Sequence, residues 1–426
     1  MINLRGKKLL VMCGVRPACN IVKTAKKLGI HVIVTDYLED SPAKKIADES
    51  YMISTTDIKG LVQLSKELKV DGVFCSYIES MMIYCQKVCE ILGFPFYASA
   101  KQINILTNKR EFKDVCRKYN LPVIKEYGFD DVLKEEGLDK TIFPVVTKPS
   151  DSGGSKGIFI SYNKDEFINN YHKSIEYSRS KKVIVEKFMA GDEVVMYYTI
   201  QNGYISLSAM CDRFTNKNQL GVAQIPTAYI FPSKYLKSFQ KKDNNNIKNM
   251  ISSLGIKNGV LFIQSFVENR RVCLYESGFR FAGAQGHKII KAVNGIDTME
   301  MMIRYSLTGK MEGWDIKKDD NPNFKKWACK LTPIVKPGII HRIEGLEDIA
   351  KYPGVFDITP VHEVGDKISS RGTLDQLLTR IFIIANNKQE LKSTINKINE
   401  NLRVTNINGE NMLLKPFDTK NLDKIY

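Results

Sequence analysis

Short continuous apolar runs alternate with amphipathic stretches over the first hundred residues. The runs 8–13 and 31–36 read as buried strands, and 18–28 reads as a helix closed by Gly29. A helix over 59–68, a strand over 71–76 and a helix over 81–92 ended by Gly93 continue the order. Strands alternating with glycine-terminated helices predict a parallel sheet covered on both faces, a Rossmann-like unit over 1–104. From 105 the texture changes. The pattern predicts a helix over 109–119, a strand over 143–148, a glycine-bearing loop, and a strand over 158–161. A helix over 164–177, strands over 182–188 and 194–200, and two strands near 260–266 and 272–276 follow, with the polar stretch 243–249 read as a loop or helix start. The expected organisation is α/β, with a central domain over 105–307, its own subdomain at about 120–188, and a C-terminal α+β unit over 308–426.

The loop after the strand ending in Lys148 reads Pro149-Ser150-Asp151-Ser152-Gly153-Gly154-Ser155-Lys156-Gly157. Glycine loses more freedom on folding than any other residue, so such a loop implies that something needs the backbone close. Free N–H groups with a nearby lysine suit a polyphosphate, and a solvated hairpin turn is the alternative. Because a strand rather than a helix follows the glycines, this is not the Walker arrangement. The first turn, Cys13-Gly14-Val15-Arg16-Pro17, lacks the dinucleotide fingerprint, although Asp36 ends the second strand.

Gln264 and Glu276 sit in adjacent predicted strands. A hairpin loop centred on Arg270 places them directly opposite on one face, two oxygen donors of the kind hard cations take. Arg280 follows four residues later with a fork of donors suited to a phosphoryl group.

Hydrophobic residues make up 43% of the 426 and charged residues 26%, as in ordinary globular chains. The net charge of +16 comes from scattered lysines with no dense basic block, which argues against a nucleic-acid-binding stripe. Nine cysteines without a CxxC pair point away from a disulfide framework or zinc and towards a reduced, cytoplasmic compartment. No apolar run reaches membrane-spanning length, and the short run after Lys7-Lys8 reads as a buried strand rather than a signal peptide.

The segments KREF from Lys109, the strand ending Lys148-Pro149, DSGGSKG, VIVEKFMAGDE ending at Glu193, and YESGFR ending at Arg280 occur in that order. Together the chain resembles the ATP-grasp superfamily, which includes biotin carboxylase, D-alanine-D-alanine ligase and carbamoyl-phosphate synthetase. The stretch beyond Ile334 is similar to the C-terminal domain of the L-amino-acid ligases and biotin carboxylase. The resemblance implies ATP and Mg2+ (or Mn2+) as cofactors. It implies that Lys109 and Lys148 contact the phosphates under a lid carrying Ser152, Gly153, Gly154, Ser155 and Gly157. It also implies that Glu186 meets the adenine amino group, that Lys187, Phe188 and Met189 read the ring edge, and that Glu193 holds the ribose. Gln264 and Glu276 would hold metal and Arg280 would steady the transferring phosphoryl group, with Lys148 and Arg280 the catalytic pair. Arg213 and His287 are candidates for a carboxylate or phosphate, and Ile160 and Phe188 for apolar walls of the base site. The family's usual Glu is here Gln264 and its usual Asn is Gly278, which leaves the number of bound ions open. The implied activity is an ADP-forming carboxylate-amine (or carboxylate-thiol) ligase working through an acyl phosphate on small-molecule substrates, with no nucleic-acid or membrane partner and a homodimer as the candidate assembly. A non-catalytic nucleotide- or nucleic-acid-binding descendant and a bicarbonate-dependent carboxylase are the alternatives.

Overall fold

The computed structural model describes residues 2–75, 77–133, 142–150, 156–216, 224–369 and 371–424. Strands Lys8–Met12 (β1), His31–Thr35 (β2), Glu49–Tyr51 (β3) and Gly72–Phe74 (β4) form a parallel sheet in the order β3-β2-β1-β4. Leu9, Leu10, Val11 and Met12 are all buried. Helices cover both faces, as continuous apolar strands require. Asp36 accepts hydrogen bonds from the N–H groups of Gly14 (2.6 Å) and Leu38 (2.9 Å). Its carboxylate therefore pins the first turn.

Strands Glu126–Tyr127 (β5), Val145–Pro149 (β6), Phe159–Ser161 (β7) and Val183–Lys187 (β8) form a second, antiparallel sheet in the order β5-β8-β6-β7. The helix Lys164–Glu176 packs on it around a small core of Val132, Val145, Phe167 and Val185. The β6–β7 hairpin is the one anticipated around the glycine loop, of which Ser152, Gly153, Gly154 and Ser155 lie outside the described residues. Gly157 has φ +74°, and a Cβ there would meet Tyr177 at 2.6 Å and Pro149 at 2.8 Å. Only glycine fits that corner without displacement.

The largest sheet has eight strands. It takes Glu193–Gln201 (β9), Tyr204–Thr215 (β10), Pro226–Phe231 (β11), Gly259–Glu268 (β12), Arg271–Gly278 (β13) and Trp327–Leu331 (β14). Gly338–Ile339 (β15), Arg342–Glu344 (β16), Val355–Pro360 (β17), Lys367–Ile368 (β18), Thr379–Ala385 (β19) and Arg403–Thr405 (β20) complete the strands, with β15–β18 and β16–β20 as separate two-stranded ribbons. The order β13-β12-β9-β10-β11-β14-β19-β17 carries the sheet without a break past position 308, because β11 pairs with β14 (Tyr229↔Lys330). The polar stretch near 243–249 is the helix Asn244–Ser253, which buries Ile247, Met250 and Ile251 at i, i+3 and i+4. Among the described residues no helix is long and apolar enough to cross a membrane.

Candidate functional site

The β12–β13 hairpin turns on Asn269 and Arg270, both with positive φ (51° and 60°), as a two-residue turn that twists with its strands requires. Glu268 faces Arg271, so the turn is centred half a residue before Arg270. From that turn alone Gln264 would face Tyr275. The register shifts between Gln264 and Ser265, however, and Gln264 pairs with Glu276 as expected from the sequence. The extra residue is Tyr275, whose hydroxyl donates to Gln264 Oε1 at 2.6 Å. The bulge thus aims the Glu276 carboxylate. Glu276 is half-buried, and its carboxylate makes no hydrogen bond or ion pair among the described residues.

Beside it, Arg280 lies over the Phe262 ring (5.1 Å) and donates to Glu79 Oε2 (3.1 Å) and the Phe281 carbonyl (3.0 Å). Its buried Nε has no partner. Phe262 is also the reason for Gly278, which it faces in the register, since a Cβ at 278 would stand 2.4 Å from a ring carbon. Burial lifts the Glu79 carboxyl above its ordinary value despite the pull of Arg280.

Lysines form the opposite wall. Lys109 and Lys113 lie on the buried stripe of the helix Lys109–Lys118 with Phe112 and Cys116, and Asn108 caps that helix through the N–H groups of Arg110 and Glu111. Lys113 Nζ bonds to Glu186 and, at 2.7 Å, to Glu126, while Lys148 Nζ reaches the other Glu186 oxygen at 2.6 Å. Glu186, assigned to the adenine amino group by resemblance, therefore has both oxygens engaged by lysines. Burial alone would raise its pKa, but Lys148 and Lys113 hold it below the ordinary value. Burial lowers the Lys148 pKa, with Glu186 opposing and Lys113 and Lys109 adding to the fall. Two lysines, Lys113 and Lys148, thus share the Glu186 carboxylate, with Glu126 as a second acceptor for Lys113.

Lys187 is split between two uses, its N–H on the Lys125 carbonyl and its ammonium on Glu268 (2.6 Å). Glu193 opens β9 and is ion-paired with Arg213, whose Nε also donates to Tyr229 (3.3 Å). Arg213 is thus committed to a protein carboxylate. His287 departs from expectation: it sits in a buried contact with Asn20 (2.9 Å), and burial, then Lys288 and Lys291, push its pKa down to about 3. A neutral ring supplies no charge to an anion, and His287 is not among the residues lining the cavity between these walls.

That cavity encloses about 390 Å³. Among the described residues, every candidate for catalysis, nucleotide or metal named from the sequence lines it except Gly157. Tyr229, Lys330 and Arg380 line it as well and were not anticipated, and neither was Lys113 behind it. Lys113 had a readable signal, a lysine on the apolar stripe of an amphipathic helix. The others come from strands whose neighbours only the sheet order reveals.

Residues 141–288 match the family model described as "ATP-grasp domain". A formate-dependent phosphoribosylglycinamide formyltransferase from Prochlorococcus marinus is 27% identical over 276 residues, 63% of this chain and 69% of that protein. Two solved structures share the architecture over 94% of this chain. The L-amino acid ligase from Bacillus licheniformis is 19% identical with a TM-score of 0.75 over 99% of its own length. The biotin carboxylase domain of the Hydrogenobacter thermophilus 2-oxoglutarate carboxylase, solved with MgADP, ADP and bicarbonate, is 18% identical with a TM-score of 0.71 over 92%. With a Rossmann-like sheet, a small antiparallel sheet and an eight-stranded sheet, and with residues 141–288 matching an ATP-grasp domain, this chain has the ATP-grasp fold.

Proposed function

We propose that the chain is an ATP-dependent, ADP-forming ligase that joins a small-molecule carboxylate to an amine. The observation that carries this reading is the unpaired Glu276 carboxylate facing Gln264 across the hairpin, with Arg280 on the same strand end and Lys109 and Lys148 across the same cavity. Two facing oxygen donors, one free of any basic partner, suit a hard cation. Among the described residues no group of three His, Cys, Asp or Glu is placed to hold a metal, so protein would supply two oxygens and leave the other positions to phosphates and water. Bound there, magnesium would neutralise charge on the nucleotide phosphates.

The chain's own residues supply position and charge, which is most of what phosphoryl transfer needs. A carboxylate oxygen attacks the γ-phosphorus as the bond to the β-phosphate oxygen breaks, giving acyl phosphate and ADP. Amine nitrogen then attacks the acyl carbon, phosphate leaves, and the nitrogen loses a proton. Lys148 and Arg280 stand where charge develops, while Glu193 and the Phe188–Met189 stretch offer the sides of a nucleoside site. Nine cysteines without a disulfide support the cytoplasmic setting of this proposal.

A panel of carboxylates and amines in an ADP-release assay, with mass spectrometry of products, tests the reading. The expected result is ADP formation that needs both substrates for amide product and falls at least about a hundredfold in Glu276→Gln. ADP release driven by bicarbonate alone would replace it with carboxylation, and the absence of nucleotide binding would end it.

A further inference from the structure

The cavity has a far end that the nucleotide reading does not use. One row of directly opposed residues crosses the eight-stranded sheet: Glu193, Arg213, Tyr229, Lys330 and Phe382, on β9, β10, β11, β14 and β19. Adjacent strands lie about 4.8 Å apart, so Lys330 is roughly 14 Å along the sheet from Glu193. Arg380 is two residues from Phe382 on β19 and therefore shares the face of Lys330, as its diagonal neighbour. Both line the cavity.

Among the described residues these two cations differ from Lys113, Lys148, Arg213 and Arg280 in having no ion-pair partner. Lys113 and Lys148 share Glu186, Arg213 has Glu193, and Arg280 has Glu79. Among the described residues neither Lys330 nor Arg380 makes an ion pair, and the buried Nε of Arg380 has no hydrogen-bond partner. Lys330 is 2% exposed, with its ammonium 3.5 Å above the centre of the Tyr229 ring. Two like charges held together in a buried wall are unfavourable unless something of opposite charge joins them. Burial pushes Lys330 well below its ordinary pKa and Arg380 adds to the fall, which an incoming anion would reverse.

Resting on the ligase reading, we propose that one of the two substrates carries, remote from its reacting group, a second anionic group, a phosphate monoester or a further carboxylate, held by Lys330 and Arg380. The substrate class is then a bifunctional acid rather than a simple monocarboxylate or uncharged amine. The ring of Tyr229 and the side chain of Tyr77 would flank the stem between the two ends.

The test uses the full chain loaded with magnesium and a non-hydrolysable ATP analogue, so that the γ-phosphate position is already filled. Acetate, succinate and methyl phosphate are titrated in calorimetrically. Succinate or methyl phosphate should bind at least tenfold more tightly than acetate, and Lys330→Gln and Arg380→Gln should each weaken the preferred ligand tenfold or more without changing analogue affinity. Lys330→Arg, which keeps the charge, should bind like the parent. Methyl phosphate ahead of succinate assigns a phosphoryl group, and the reverse a carboxylate. Equal binding of all three, no binding of any, or full affinity in both Gln variants overturns the inference while leaving the ligase reading intact. Failure of the parent to bind the analogue takes both down.

Discussion

Lys113→Met tests whether the buried triad is a tie between the helix Lys109–Lys118 and the four-stranded sheet β5-β8-β6-β7. The Lys113 side chain is fully buried, Glu186 is 5% exposed, and Glu126, the second acceptor, is 23% exposed. Removing one partner of a buried pair destabilises by about 3–5 kcal/mol because the other charge is stranded. Here Lys148 still holds one Glu186 oxygen and Glu126 can turn to water, so the lower end, about 3 kcal/mol, is expected. The sign with pH follows from Glu186. Its folded pKa is depressed, so its charge contributes stability that is present above the unfolded value of about 4.3 and lost as pH falls through the lower folded value. The penalty of Lys113→Met should therefore be largest near pH 7 and shrink below about pH 4. Urea denaturation followed by circular dichroism at both pH values measures it, and hydrogen exchange in β6 and β8 reads the same loss locally. A cycle with Glu186→Gln should show coupling of at least about 1 kcal/mol. A neutral substitution, an equal penalty at both pH values, or strict additivity would refute the tie.

Three further outcomes are expected. Lys148→Ala should leave the chain folded and cut ADP release by about a hundredfold or more, and retained turnover would remove Lys148 from the chemistry. Gly278→Asn, which restores the residue usual in the resembled family, should destabilise by about 1–3 kcal/mol because its Cβ falls on Phe262. It should also lower kcat by displacing the ring under Arg280, and a variant with unchanged melting and activity would show that the space is not limiting. Arg280→Lys keeps the charge but loses the fork that reaches both Glu79 and the Phe281 carbonyl, so a kcat fall of about tenfold or more is expected, and parent-like kinetics would contradict it.

The sequence by itself determined the elements, because amphipathic period and strand runs are local properties of the chain. The helix Lys109–Lys118 and the strands β6 and β8 stand within one or two residues of where the pattern placed them. Even the facing of Gln264 and Glu276 could be read, although the bulge at Tyr275 rather than the position of the turn produces it. What only the tertiary structure decided is which charges meet. Glu186, assigned to the adenine amino group by resemblance, is enclosed by lysines from another strand and from a helix, the latter 73 residues away. The row from Glu193 to Phe382 depends on the order of five strands drawn from distant parts of the chain, and no local pattern fixes that order. Pair energies between charges depend on burial and separation in space, so the counter-ions of Lys113, and the lack of any among the described residues for Lys330 and Arg380, emerge only once the sheets are packed.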